Sequence, residues 1–260
     1  MKKLTPSNVF LFFILTFILF QNCQKDSPEN DAQGFDCISG DCTPVESGGA
    51  YASLSSCQSD CGSSTMSTMT DSRDGEIYAI VTIESQSWMA ENLRYNAPGS
   101  WLNPDYPSSK YGRLYYWDTM MNGGSSSFSS PSGVQGICPN GWHIPSDAEW
   151  GTLEVASGMN PGAATITGYR DSHGIGMKST TGWNSNGNGT NELGFNVLPS
   201  GFYLVLEKNF HFLGSGAYFW TSSEFSSTWA FYRQLDNNED GVNRDLSPKN
   251  YGFACRCVKD

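Results

Sequence analysis

The chain has 260 residues, with 15 Lys and Arg against 26 Asp and Glu, and a formal net charge of −11. Such an acidic chain is a poor partner for nucleic acid, because phosphate binding needs clustered Lys and Arg. We therefore expect no nucleic-acid binding. The eight cysteines are typical of an oxidising compartment.

Residues 1–22 are predicted to be a signal peptide. Lys2 and Lys3 give a positive start, and the apolar run at residues 9–20 is shorter than the roughly 18 residues that span a bilayer. Cys23 follows at the spacing of a lipid-accepting cysteine, so we expect it to be acylated and to anchor the chain in the membrane. An ordinary cysteine beside a conventional cleavage site is the alternative.

Residues 23–36 are polar and are predicted to be a lipidated tether. Their segment 24–29, Gln-Lys-Asp-Ser-Pro-Glu, resembles the charged export signal of Bacteroidetes lipoproteins. That resemblance implies a location on the outer face of the outer membrane.

A small cysteine-rich module is predicted over residues 37–61, where four cysteines follow the spacing C-x4-C-x14-C-x3-C. So short a segment cannot bury a useful core, and crosslinks must hold it together. Its last residues suggest one helix with Cys57 and Cys61 on the same face. The nested pairs Cys37–Cys61 and Cys42–Cys57 are favoured, because a chain that folds back nests its contacts. A zinc site with four thiolates is the alternative.

Residues 62–70 are rich in Ser, Thr and Met and are predicted to be a linker. The sequence pattern of residues 71–260 is typical of a folded domain. The alternation of β-forming residues predicts strands over residues 76–83 and 86–93. The 28 glycines and 12 prolines of the chain indicate frequent turns, so we predict an α+β domain with a mostly antiparallel sheet.

One helix start is sharply marked. Ser146 is a predicted N-cap, and Glu149 follows at the position that completes a capping box. Trp150 and Leu153 would then face the core. We expect the helix to end near Gly158.

Several stretches carry a resemblance to a known family. Two of them are Gln86-Ser87-Trp88-Met89-Ala90-Glu91-Asn92-Leu93 and Cys138-Pro139-Asn140-Gly141-Trp142-His143-Ile144-Pro145-Ser146, and the others are residues 71–75, 111–115, 147–150, 194–201, 219–224 and 256–260. In these stretches residues 71–260 closely resemble the Fibrobacter succinogenes major paralogous domain of Bacteroidetes and Fibrobacteres lipoproteins, a family whose molecular role is largely unassigned. The family is distantly similar to the C-type-lectin fold and to its sulfatase-modifying branch.

The resemblance implies a C-type-lectin-like, mixed fold with few helices, long loops and chain ends tied by a disulfide, Cys138–Cys257. Cys255 is then the odd thiol, although it could replace Cys257 as the partner. Cys255 and Cys257 alternate along a probable strand and are expected to point to opposite faces. A sulfatase-modifying enzyme would need further redox cysteines at residues 220–246, where there are none, so we expect no catalytic role.

Metal binding has few candidates. Asp236, Asn238 and Asp240 match the opening of an EF-hand loop, but the Glu expected at position twelve is replaced by Ser247. A hairpin turn between strands at 229–235 and 242–246 is favoured over calcium, so we expect no cofactor in this domain, with calcium as the alternative. The histidines, at positions 143, 173 and 211, lack ligand spacing and are favoured as packed or surface residues.

The eight tryptophans divide into two groups. Five lie in family motifs and are assigned to the core: Trp88, Trp117, Trp142, Trp150 and Trp220. Three remain as candidates for contact with a ligand: Trp101, Trp183 and Trp229. We therefore expect a surface-displayed, non-catalytic domain that binds carbohydrate or protein. A structural or adhesive display module is the alternative, and a sulfatase-modifying type of enzyme is the third hypothesis.

Overall fold

The computed structural model describes residues 34–38, 41–45, 67–104 and 109–260, the first two ranges as backbone. Cys23 and the predicted helix with Cys57 and Cys61 lie outside these residues. No helix in the described ranges is long and apolar enough to cross a membrane.

Strands predominate in the described residues, and the helices are short. The strands are β1 (Gly34–Ile38), β2 (Asp41–Val45), β3 (Ser67–Thr70), β4 (Ile77–Ile83), β5 (Gln86–Met89), β6 (Ser100–Trp101), β7 (Leu114–Tyr115), β8 (Trp142–His143), β9 (Gly168–Arg170), β10 (Phe202–Leu204), β11 (Asn209–His211), β12 (Gly216–Glu224), β13 (Trp229–Asp236), β14 (Val242–Pro248), β15 (Tyr251–Ala254) and β16 (Val258–Lys259). The α-helices are α1 (Trp117–Met121), α2 (Asp147–Ala156) and α3 (Gly174–Met177). Two single 3-10 turns cover Ser109–Tyr111 and Pro161–Ala163.

These strands form three sheets. The hairpin β1–β2 sets the backbone of Cys37 opposite that of Cys42. A nine-stranded sheet has the order β11-β10-β15-β12-β13-β14-β9, with β6 and β7 joined through β15, and a five-stranded sheet has the order β3-β4-β5-β16-β8. Among the strands described, only β12 and β15 pair in parallel. The prediction of a mostly antiparallel sheet with few helices is confirmed.

The predicted strand at 76–83 is β4, but the strand predicted at 86–93 ends at Met89. The strand ends there because backbone groups that follow Met89 form hydrogen bonds outside the strand pairing. The Leu93 amide donates to the Cys255 carbonyl at 2.9 Å, and the Leu93 side chain is fully buried. The predicted hairpin of β13 and β14 is confirmed, with Trp229 opposite Pro248.

Helix α2 begins with the predicted capping box. The Glu149 amide donates to Ser146 Oγ at 3.2 Å, and the Ser146 amide donates to Glu149 Oε2 at 2.9 Å. Trp150 and Leu153 are fully buried, which places the apolar face of the helix on the core. The five tryptophans assigned to the core are all buried, as predicted.

A buried ion network fixes α2 to the large sheet. Asp147 pairs with Arg244 of β14 and Arg233 of β13, both at 2.7 Å, and Glu154 pairs with Arg233 and Arg170. Burial opposes ionisation of both carboxyls, but the neighbouring arginines outweigh it and lower the pKa of Asp147 and of Glu154. Helix and sheet are therefore held by charge as well as by apolar packing.

Candidate ligand-binding groove

A surface groove of about 470 Å³ lies where three segments of the chain meet. The first segment is the start of α1, the second is the turn before β13, and the third is the turn between β14 and β15. The side chains and backbone that line it belong to Tyr116, Asp118, Thr119, Ser227, Thr228, Trp229, Pro248, Lys249 and Asn250.

Hydrogen bonds below the groove hold the three segments together. The Trp117 amide donates to the Lys249 carbonyl at 3.1 Å, and the Lys249 amide donates to the Thr228 carbonyl at 3.0 Å. The Trp117 indole donates to the Thr221 carbonyl at 2.8 Å. The floor of the groove is therefore an ordered part of the fold.

Lys249 is itself held in place. Its ammonium lies 3.9 Å from the centroid of the Trp117 ring, within cation–π range, and pairs with the Glu224 carboxylate. The charge of this lysine is therefore already balanced, and the groove is not a simple cationic patch.

Trp229 forms the aromatic wall of the groove and is 42% exposed. Asp118 and Asn250 are exposed on the same groove. Neither side chain donates or accepts a hydrogen bond within the residues that the structure describes. An accessible indole face is thus combined with carboxylate and amide oxygens that are free to bind a ligand.

Trp101 supports the groove from behind. Its ring packs edge-on against Tyr116, with centroids 4.3 Å apart, and stacks on Tyr203 at 4.3 Å. Trp101 is half-buried, so it positions Tyr116 more than it presents a surface of its own. Trp229 is the predicted ligand-contact tryptophan that the structure leaves open on this groove.

The prediction of a surface position is wrong for Trp183. Its side chain is only 5% exposed, and its indole nitrogen donates to Ser179 Oγ and to the Val197 carbonyl, both at 3.1 Å. The glycine-rich loop that follows it folds back on the domain, because Gly187 packs closely on the backbone of Asn237. Trp183 is therefore a core residue under that loop.

The loop with Asp236, Asn238 and Asp240 is the predicted hairpin turn, and an ammonium group occupies it. Lys178 Nζ donates to the carbonyl oxygens of Asp236 and Glu239, at 3.1 and 2.9 Å. Asp236 Oδ2 instead accepts hydrogen bonds from Tyr169 and Gln234. In the described residues no three carboxylates of this loop lie together, and the carbonyl oxygens of Asp236 and Glu239 already accept hydrogen bonds from Lys178.

Two of the histidines are buried in carboxylate contacts. His143 lies between Glu149 and Asp260, with both N–O distances at 2.7 Å. Burial lowers its pKa, but hydrogen bonds to these two carboxylates outweigh burial and raise the pKa above its usual value. His173 Nε2 lies 3.1 Å from Glu154. Both histidines are therefore packed residues that contact carboxylates, as the sequence favoured.

The disulfide Cys138–Cys257 is present, with a Cα–Cα distance of 5.9 Å, and Cys255 is a buried free thiol. The expectation that Cys255 and Cys257 point to opposite faces is wrong. Strand β15 ends at Ala254 and β16 begins at Val258, so strand alternation does not apply between them. The three sulfur atoms lie within 4.8 Å of one another, and burial raises the pKa of the Cys255 thiol.

Sequence reasoning missed Tyr116, Asp118 and Asn250 as members of the groove. They come from segments that are distant in the chain, and none lies in a spacing that marks a binding site. The only available signal was the tryptophan itself, because an indole outside the family motifs needs a reason to be exposed.

Comparison with known proteins identifies the domain that carries this groove. The family model described as the Fibrobacter succinogenes major domain matches residues 81–259. No curated protein and no solved structure is significantly similar to the chain. The match covers more than half of the sequence and includes all three groove-forming segments, and the chain therefore belongs to the Fibrobacter succinogenes major domain family.

Proposed function

We propose that the protein is a lipid-anchored outer-membrane protein whose C-terminal domain binds carbohydrate at the Trp229 groove, without catalysis. The observation that carries this proposal is the exposed Trp229 face beside the free oxygens of Asp118 and Asn250. Aromatic faces supply large contact area, and a few polar groups set the orientation of a ligand. Sugars offer the matching apolar C–H faces and hydroxyls.

The absence of cysteine from residues 220–246 supports a non-catalytic role, because it removes the redox pair of a sulfatase-modifying enzyme. The apolar run before Cys23 and the charged residues after it support the anchor and the outward-facing location. A C-type-lectin-like architecture belongs to the same proposal. It is supported by the pairing of β5 with β16, which brings the two ends of the domain into one sheet.

The test is a glycan array probed with the full chain carrying Cys23→Ser, with and without calcium. Trp229→Ala should weaken the binding of any glycan hit by at least about tenfold, as expected for a central aromatic contact. Phe212→Ala is the matched control, because Phe212 is 58% exposed and does not line the groove. Equal binding by the Trp229 variant and the parent chain would refute the assignment of the groove.

A second candidate function is protein contact by an aromatic patch. Phe128 and Phe225 are 54% and 66% exposed, and both pack on Phe231, with ring centroids 5.9 and 6.3 Å away. Exposed apolar clusters mark interaction surfaces, which favours the adhesive display hypothesis. Loss of cell-surface or protein adhesion in Phe225→Ser, with glycan binding unchanged, would support it.

A further inference from the structure

A second cavity, of about 230 Å³, lies apart from the Trp229 groove and shares no lining residue with it. Its lining combines two cations, one carboxylate and several neutral polar groups. The lining residues are Ala90, Glu91, Asn92, Lys110, Thr181, Asn196, Leu198 and Arg256.

Arg256 is the unusual member of this lining because its side chain is almost fully buried. Its Nε donates to Asn92 Oδ1 at 2.9 Å, its Nη2 donates to the Asn196 carbonyl at 3.0 Å, and its Nη1 donates to the Phe195 carbonyl. A guanidinium has five N–H donors. One donor on each Nη therefore remains for a further acceptor.

All three acceptors are neutral, and the guanidinium carbon lies over the Phe195 ring, 4.4 Å from its centroid, so the charge is met by neutral groups and not by an anion. No carboxylate of the described residues lies within ion-pair distance of it. Glu91 lines the same cavity, but its carboxylate accepts the Ala79 amide at 2.8 Å and lies 3.4 Å from Arg94 Nη1. A buried cation that has no anionic partner is costly, and a bound anion would reduce that cost.

Burial lowers the pKa of Arg256 to about 9, against the weaker opposing attraction of Glu91. The guanidinium is therefore still charged at neutral pH. Lys110, which is exposed on the same lining, adds a second cation.

We propose that this cavity binds a small carboxylate, held by the buried Arg256 and the exposed Lys110. The planar guanidinium fork matches a carboxylate better than a single-point cation does. The volume is below the roughly 300–1,000 Å³ of sites for drug-sized ligands, which fits one acidic sugar residue or a short organic acid. Asn196 and Thr181, which line the same cavity, supply polar groups for the remaining oxygens.

The test is titration calorimetry of the full chain carrying Cys23→Ser with D-glucuronate, in low-chloride buffer at pH 7. Glucose is the control for a neutral sugar, and inorganic phosphate is the control for an anion that is not a carboxylate. We expect glucuronate to bind and glucose to bind at least about tenfold more weakly, because only the former has the charged group. Phosphate that bound more tightly than glucuronate would overturn the choice of a carboxylate.

Substitutions in the cavity test whether glucuronate binds there. Lys110→Gln should weaken glucuronate binding by about threefold, and Lys259→Gln, at another exposed lysine, should leave it unchanged. Arg256→Gln should abolish binding. If Arg256→Gln fails to fold, Thr181→Tyr narrows the cavity from its exposed side and should also abolish binding. Undiminished binding by Thr181→Tyr and Lys110→Gln would overturn the site.

This inference is independent of the carbohydrate proposal for the Trp229 groove. Trp229→Ala should leave the binding of glucuronate unchanged, whereas it should weaken the glycan binding assigned to the groove by at least about tenfold. Loss of glucuronate binding in Trp229→Ala would place the acid in the groove and overturn the cavity.

Discussion

Replacing Cys257 with serine should change the partner of Cys138 without leaving it unpaired. The Cys255 thiol lies within 4.8 Å of both sulfur atoms of the disulfide, and no strand holds residues 255–257. In Cys257→Ser, refolding with oxidised glutathione should therefore join Cys138 to Cys255. The two thiols lose two protons and two electrons, and the glutathione disulfide is reduced to two thiols.

The expected loss in the free energy of unfolding follows from the length of the loop that the disulfide closes. The native disulfide joins positions 119 residues apart, for which loop-closure entropy gives a stabilisation of about 5 kcal/mol. A Cys138–Cys255 bond closes a loop of nearly the same length, so Cys257→Ser should lose only about 1–2 kcal/mol through strain and repacking. Cys138→Ser has no such substitute and should lose about 5 kcal/mol.

The assay is denaturant unfolding of the oxidised variants, followed by alkylation and peptide mass mapping. Cys255→Ser in the parent chain is the control, and it should lose little because it leaves the disulfide intact. Cys255→Ser combined with Cys257→Ser should match Cys138→Ser. The reasoning is refuted if Cys257→Ser alone is as unstable as Cys138→Ser and both of its remaining thiols, at 138 and 255, are alkylated.

Three further predictions concern the anchor, the cysteine-rich module and pH. Cys23→Ala should abolish labelling by a fatty-acid probe and release or mislocalise the protein, and unchanged labelling would contradict the anchor. Non-reducing peptide mapping of residues 37–61 should find two crosslinks, whereas bound zinc with four free thiols would contradict them. Because the pKa values of Asp147 and Glu154 are lowered in the fold, the free energy of unfolding should fall as the pH drops below about 4. The raised pKa of His143 has the opposite effect, so the free energy of unfolding should also fall as the pH rises above about 6.5. Melting temperatures that do not change with pH in either range would contradict these predictions.

Local signals in the sequence predicted the parts of the fold that depend on neighbours in the chain. The capping box at Ser146 and Glu149 needs only positions three residues apart. The hairpin around Asp236 needs only a turn between two strands. The disulfide Cys138–Cys257 was available only through the resemblance to a family, because spacing alone does not fix a pair.

The site depends on contacts that no local pattern specifies. Trp183 was a candidate for ligand contact because it lies outside the family motifs, yet the loop that follows it folds back and the indole is buried. The carboxylates near Asp240 resembled a calcium loop, but the distant Lys178 donates into the same turn. That Arg256 is buried with no carboxylate partner among the described residues becomes visible only when its surroundings are known.

The position of β16 determines when the small sheet can close. This strand lies between β5 and β8 in the small sheet, with Val258 opposite both Trp88 and His143. The sheet therefore stays divided until the residues of β16 have been synthesised, and pairings so far apart in the chain form slowly. A nascent chain that lacks β16 therefore keeps β5 and β8 unjoined.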